Sequence, residues 1–401
     1  MTATRSTDGP TVRVGLWGVF GTGNFGNEAT LSALLQRFAP APLVPVVLCE
    51  RPDEARARHG VEAVALGPVV ERSRAGRWGR LVGTARDRAG LLVGAVRTVR
   101  DLDAVVLAGT GCFERLGSGA WGVPYEIWAL SLAARLRRRP FVVLDVGAET
   151  SPRATARAFV RSAARSARYR SFRDESSRSS MVAIGAAAPD DVVATDLAFG
   201  LDLRSAPPPA AERSLVLGVM AYRGRDDSQG ADPEAAYRAR VLRLVRLLDE
   251  AGWHVTLVGG DDVDLGFARS LEGLPPHVAV VEARTPEELV ALTGRAVVTV
   301  ATRYHSVIMS LLAGTPVVSI GYGEKHRAAL LQLGLEDTHR DVETFDPVEV
   351  VAMVEDQARR HDEIRARIAS GVADARERLD AQWPAVEDVL LARRTRRTVA
   401  A

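Results

Sequence analysis

Lysine is nearly missing from this chain: of its 52 Lys and Arg residues, Lys325 is the one lysine. A background that writes arginine wherever a positive charge is enough leaves two explanations for the survivor. It is chance, or it marks a place where a compact ammonium does what a planar guanidinium cannot, such as acting as a point charge on phosphate. Cysteine is also scarce. Cys49 and Cys112 are the only two, both in or beside apolar runs, which excludes a disulfide framework and zinc spacing and fits a reducing cytosol. No His/Asp cluster stands at metal-ligand spacing, so no metal is expected. No apolar run approaches the roughly 20 residues that span a membrane. The N-terminus MTATRSTDGPTVRVGLWG lacks the apolar core of a signal peptide. The expectation is a cytoplasmic protein, with the inner face of the membrane as an alternative address. A net charge of +2 gives no general drive towards nucleic acid. With 47% apolar and 25% charged residues in 401, the chain reads as globular and too long for one core, so two domains are expected.

What is present centres on residues 297–327, VVTVATRYHSVIMSLLAGTPVVSIGYGEKHR. A β-branched run ends at Thr302 and is followed by Arg303, Tyr304 and His305. Val307, Ile308, Leu311 and Leu312 recur at helical spacing, and Gly314-Thr315-Pro316 closes that helix. A second apolar run ends in Gly321-Tyr322-Gly323, after which Glu324-Lys325-His326-Arg327 opens another helix. Polar residues thus stand at the carboxyl ends of two strands, the edge at which open α/β sheets bind ligands. The helix starts there suit an anion.

Upstream, a strand over 12–18 precedes Gly21-Thr22-Gly23-Asn24-Phe25-Gly26-Asn27-Glu28 and a helix from about Ala29 to Phe38. This glycine-rich loop is neither a Walker A nor a good dinucleotide fingerprint; a tight turn competes with a ligand loop built on Gly23 and Gly26. Strands are expected at 43–49, 61–66 and 103–108, the last running into Gly109-Thr110-Gly111-Cys112-Phe113-Glu114. Between them, 71–101 is rich in arginine (Arg72, Arg74, Arg77, Arg80, Arg86, Arg88, Arg97, Arg100) and reads as a solvated helical face. The sharper alternative is a peripheral contact with an anionic glycan or the inner leaflet. Helix 124–138, strand 140–147, helix 152–167 and the short strand 169–172 follow. Arg173-Asp174 then occupy the same strand-end, helix-start position as Arg303, and Val192–Asp196 closes the domain.

The Pro-rich stretch 206–212 separates domain 1–205 from domain 213–345, where βα alternation restarts. Strands 214–221, 253–259 and 277–282 alternate with helices 233–251, 263–272 and 286–294. Residues 346–401 are a helical tail, with charged helices over 347–382 and 383–395. The alternation predicts an α/β protein of two Rossmann-like, doubly wound domains facing across a cleft.

GTGNFGNEA, AGTGCF, SFRDESS, ATDLAF and ATRYHSVIMSLLAGTPVVSIGYGEKH occur in this order. Together they resemble the polysaccharide pyruvyl transferase family over most of residues 12–335. The last block is the most specific. In the first, Asn27 stands where the family usually has aspartate. The resemblance implies a glycosyltransferase-B-like fold and transfer of a pyruvyl group from phosphoenolpyruvate to a sugar, leaving a ketal and releasing phosphate. The donor is a substrate, and no cofactor is implied. It further implies that Arg173, Arg303, Tyr304, His305 and Lys325 contact phosphoenolpyruvate, with His305 as general acid. The acceptor would be a cell-envelope, exopolysaccharide or secondary-metabolite glycan, or a lipid-linked sugar, met by loops 20–28 and 109–124. Asn24, Asn27, Glu28, Asp174 and Asp196 stand on that side, and the base is open among Glu28, Asp174 and Asp196.

Protonating the methylene carbon of phosphoenolpyruvate calls for an acid that titrates near neutrality, the range of an imidazole. A helix-capping His305 with Arg303 paired to an acid is the plainer alternative. Two other functions compete: a nucleotide-sugar glycosyltransferase on the same architecture, and a non-catalytic glycan-binding member. Oligomeric state is not legible.

Overall fold

The computed structural model describes residues 11–66, 77–113, 119–203, 212–224 and 232–399. Part of the arginine stretch (71–76), Glu114 and most of the Pro-rich linker (206–211) lie outside the described residues. The chain divides into two compact units. The first comprises 1–22, 30–201 and 378–401; the second comprises 23–29 and 202–377.

The first unit alternates strand and helix: β1 (Val12–Trp17), α1 (Phe25–Phe38, whose first turn, to Ala29, goes with the second unit), β2 (Leu43–Leu48), α2 (Pro52–His59), β3 (Glu62–Val64), α3 (Arg77–Arg100), β4 (Ala104–Ala108), α4 (Val123–Leu136), β5 (Phe141–Val146), α5 (Ala154–Ser166), β6 (Tyr169–Phe172), α6 (Glu175–Ala183) and β7 (Val192–Val193). Its seven strands run in the order β3-β2-β1-β4-β5-β6-β7, every pair parallel. β4 and β5 are buried at every position, as expected for parallel strands covered on both faces. The order reverses direction at β1 and β4, the switch point at which such sheets open a crevice.

The second unit contains β8 (Ser214–Val219), α7 (Pro233–Glu250), β9 (His254–Gly259), α8 (Asp262–Arg269), β10 (Ala279–Val281), α9 (Pro286–Thr293), β11 (Val298–Ala301), α10 (Tyr304–Leu312), β12 (Val317–Gly321), α11 (Glu324–Leu331), β13 (His339–Asp341), α12 (Pro347–Arg359) and the start of α13 (His361–Val399). Its strands run β10-β9-β8-β11-β12-β13, again all parallel. Each unit is therefore Rossmann-like and has a core of its own. The first is built on residues such as Leu107, Val143 and Phe172, the second on Leu217, Trp253 and Val300.

Three local expectations are corrected. α1 begins at Phe25, not near Ala29. Asn24 accepts the Gly26 N–H at 3.1 Å and the Asn27 N–H at 3.4 Å, so this loop residue is a helix cap. Gly26, Asn27 and Glu28 consequently lie in the first helical turn. The charged helix α2 escaped the apolar pattern, although Pro52 starts it and Gly60, at φ 65°, ends it. In the tail the break falls at Arg360, and α13 runs through Pro384. Asp362 and Glu363 in its first turn favour the positive end of the helix dipole.

Candidate functional site

In the second unit, the polar residues of 302–327 gather at the carboxyl ends of β11 and β12. Arg303 takes the N-cap position of α10 but makes no capping bond. Its guanidinium instead grips Asp264 of α8 through two bonds, Nε to Oδ2 at 2.7 Å and Nη2 to Oδ1 at 2.6 Å. Asp264 is completely buried. Its Oδ1 also accepts the Ala221 N–H at 2.8 Å, just beyond β8. Burial works against the charged form of Arg303, but the Asp264 carboxylate more than offsets it and raises the guanidinium's pKa further. Arg303 is thus paired with an acid, as the plainer reading of the sequence has it, and held by that pair at the strand end.

His305 projects from the first turn of α10 towards residues 23–29, which belong to the same unit. A Cβ at Gly26 would overlap the His305 ring, so only glycine leaves the imidazole its place. The ring also meets Tyr304 edge-on at 4.9 Å between centroids. Lys325 lies in the first turn of α11, its Nζ 5.3 Å from the Tyr322 ring centroid and 5.9 Å from that of Tyr304. Cation–π attraction thereby steers the one ammonium group of the chain.

Four other α-helices of this unit start differently from the two in this corner. α7, α8, α9 and α12 are each capped by a side chain (Asp232, Asp261, Thr285 and Asp346). α10 and α11 have no side-chain cap. Their first-turn N–H groups, next to Arg303, His305 and Lys325, are of the kind that receives anions.

In the first unit, Arg173 ends β6 and is buried. Nε donates to Asp174 Oδ2 at 3.3 Å, and Nη1 lies 3.6 Å from Asp196 Oδ2. The guanidinium lies on Gly147, where a Cβ would overlap it. Both aspartates are also caps: Asp174 accepts the Ser177 N–H at 2.7 Å and Asp196 the Ala198 N–H at 3.0 Å. The Arg173–Asp174 pair is therefore buried beside a second carboxylate. Glu28 is fully buried, and Gly109 passes close to the Asp145 carbonyl, which a Cβ would meet at 2.8 Å. Gly23 has φ 76°, and Gly111 follows β4 in the loop that runs on to Cys112.

Sequence reasoning missed two carboxylates. Asp264 sits in Asp261-Asp262-Val263-Asp264, where it looks like helix-start acidity. Asp145 was submerged in strand 140–147, yet it has φ 49° at a register irregularity of β5. Ser171 Oγ donates to its Oδ1 at 2.7 Å, and Gln382 Nε2, from α13, to its Oδ2 at 2.6 Å. Burial raises its pKa to about 7 despite those two bonds, with Asp196 adding repulsion.

Two Rossmann-like units with polar and cationic side chains at strand ends define the class of fold, and comparison with known proteins narrows it. The model of the polysaccharide pyruvyl transferase family matches residues 24–324, so the chain belongs to that family. The amylovoran biosynthesis protein AmsJ of Erwinia amylovora is 25% identical over 178 residues, which is 42% of this chain and 43% of that protein. The chain thus matches less than half the length of this curated relative. Among solved structures, the UDP-GlcNAc 2-epimerase from Neisseria meningitidis bound to UDP-GlcNAc superposes with a TM-score of 0.58 at 11% identity, covering 95% of this chain and 100% of that one. The glycosyltransferase SnogD from Streptomyces nogalater gives 0.57 at 18% identity, covering 92% and 99%. The fold is accordingly of the glycosyltransferase-B type.

Proposed function

We propose that this protein transfers the pyruvyl group of phosphoenolpyruvate to a sugar of an exopolysaccharide or other cell-envelope glycan, releasing phosphate. The observation that carries this reading is the pair of helix starts without side-chain caps, α10 and α11, that display Arg303, His305 and Lys325 at adjacent strand ends. Phosphoenolpyruvate bears a carboxylate and a phosphate on a three-carbon frame. A guanidinium, an ammonium and two sets of helix N–H groups match that charge. Family membership and the likeness to a protein of amylovoran biosynthesis support a glycan acceptor.

In the proposed reaction His305 gives a proton to the methylene carbon, which becomes a methyl group, and the adjacent carbon gains oxocarbenium character. A sugar hydroxyl adds there and gives up its proton to a base. The C–O bond to phosphate then breaks as a second hydroxyl closes the ketal, and that hydroxyl's proton leaves with hydrogen phosphate. Lys325 and the start of α11 hold the phosphate while charge builds on it. Any membrane contact of the protein is equally a proposal, tested by binding to vesicles of anionic phospholipid.

The test is phosphate release from phosphoenolpyruvate over a panel of glycosides, wild type against His305→Ala. A fall of about 10²–10⁴-fold is expected for loss of a general acid. Binding of a uridine diphosphate sugar, with no binding of phosphoenolpyruvate, would turn the assignment towards a glycosyltransferase.

A further inference from the structure

We propose that His326 is a positioning residue for the donor site, clasping the loop that carries Arg303 and His305 to the turn that carries Lys325. This rests on the reading that phosphoenolpyruvate binds at those residues. His326 Nε2 stands 3.3 Å from the carbonyl of Thr302, the residue just before Arg303. Nδ1 stands 3.2 Å from the carbonyl of Gly323, two residues before Lys325. One ring thus faces both segments at their point of departure from the sheet.

The surroundings are built for that ring. His326 is completely buried. A Cβ at Gly321 would overlap it, so the glycine that ends β12 makes its space. Tyr304 and Tyr322, the two rings that flank the Lys325 ammonium, both meet His326 edge-on, at 5.9 and 5.3 Å. His339 of β13 stacks on it at 5.9 Å with 20° between planes. Moving the imidazole would therefore disturb the lysine through its own cage and Arg303 through its backbone.

Burial, followed by the charge of Lys325 and then His339, lowers the pKa of His326 to about 3. At neutral pH the ring has one N–H to give and no proton to deliver. Such a group cannot be a second acid; with its one proton on Nε2 it donates to the Thr302 carbonyl and ties α11 to the segment just before Arg303. Phenylalanine would fill the same volume without that bond, whereas glutamine restores an N–H donor on a flexible chain.

The experiment is calorimetric titration of phosphoenolpyruvate, with inorganic phosphate as control, into wild type, His326→Phe, His326→Gln and Lys325→Met, each checked for folding by thermal melts. His326→Phe is expected to stay folded with its dissociation constant raised at least tenfold, and His326→Gln to recover part of that loss. An affinity within twofold of wild type in folded His326→Phe, with affinity lost in Lys325→Met, overturns the positioning role. So does a fall in Tm with unchanged affinity, which marks a purely structural side chain. If wild type binds no phosphoenolpyruvate, the donor reading fails first and this role with it. Should His326→Phe not fold, nitrogen-15 spectra of the wild-type imidazole decide. A proton on Nε2 at pH 7, with a shift when phosphoenolpyruvate is added, supports the clasp. A ring protonated on Nδ1 alone, or one that does not respond, overturns it.

Discussion

Asp264 is worth most where it is least visible, because a buried carboxylate fixes both the direction and the charge of Arg303. Asp264→Asn replaces one accepting oxygen with an amide that faces a donor. Loss of a charge-assisted bond of this kind costs about 1.5–3 kcal/mol. Phosphoenolpyruvate affinity should fall roughly tenfold or more on that scale, and an unchanged titration would detach Arg303 from donor binding. Gly26→Ala tests the other side of the site: the added methyl displaces the His305 ring. A misplacement of about 1 Å is worth roughly 10²-fold in rate, so phosphate release should drop by that order while the melt stays close to wild type.

Asp145 makes a prediction with a sign. Its folded pKa is about 7 against an ordinary 3.8, chiefly through burial. Below pH 4 both folded and unfolded states keep the proton. From there to pH 7 the unfolded chain ionises first, so this group's contribution to stability is lost as pH rises. Asparagine tolerates the left-handed φ of 49° and cannot ionise. The Tm change on Asp145→Asn should therefore be more favourable at pH 8 than at pH 4 by about 3 °C or more, whatever the amide costs opposite Ser171 or Gln382 at both. Equal changes at the two pH values would refute this.

Among the elements, those with continuous apolar runs were legible and those held by distant partners were not. β4 and β11 announce themselves as AVVLA and VTVA, because a parallel strand covered on both faces needs apolar residues throughout. The strand-end placement of Arg303, His305 and Lys325 followed directly. β13, with sequence His-Arg-Asp, has no apolar pattern and exists because it pairs with β12. Asp264 lies 39 positions from the arginine that it orients, a pairing that no local pattern encodes. In the tail a break is expected between 382 and 383, yet α13 runs unbroken from His361 to Val399.

The later part of α13 belongs to the first unit, where Val386 and Leu390 are fully buried. There Gln382 accepts a bond from the Tyr169 hydroxyl at 3.0 Å while donating to Asp145. Gln382→Leu removes both and leaves a buried carboxylate short of a donor. A loss of roughly 1–3 kcal/mol in urea unfolding is expected. A smaller change would mean that the helix is held by its apolar face alone.

On the scale of the whole molecule, two sheets with separate cores allow ligand binding to be read where it occurs. Trp253 is the one tryptophan in residues 202–377; the other five fall in the first unit. It is buried, donates from Nε1 to Glu355 at 2.8 Å, and lies under the Arg213 guanidinium at 4.7 Å. Fluorotryptophan labelling, with the Trp253 resonance assigned from a Trp253→Phe spectrum, therefore reports the unfolding of the second unit by itself. A ligand that binds only the folded state stabilises it by about 2.7 kcal/mol at 100 times its dissociation constant. If phosphoenolpyruvate is held by Arg303, His305 and Lys325, the urea midpoint at Trp253 must rise accordingly in wild type and stay put in Lys325→Met. A midpoint that ignores phosphoenolpyruvate but responds to a uridine diphosphate sugar would move the donor assignment to the nucleotide-sugar class, whatever the family membership suggests.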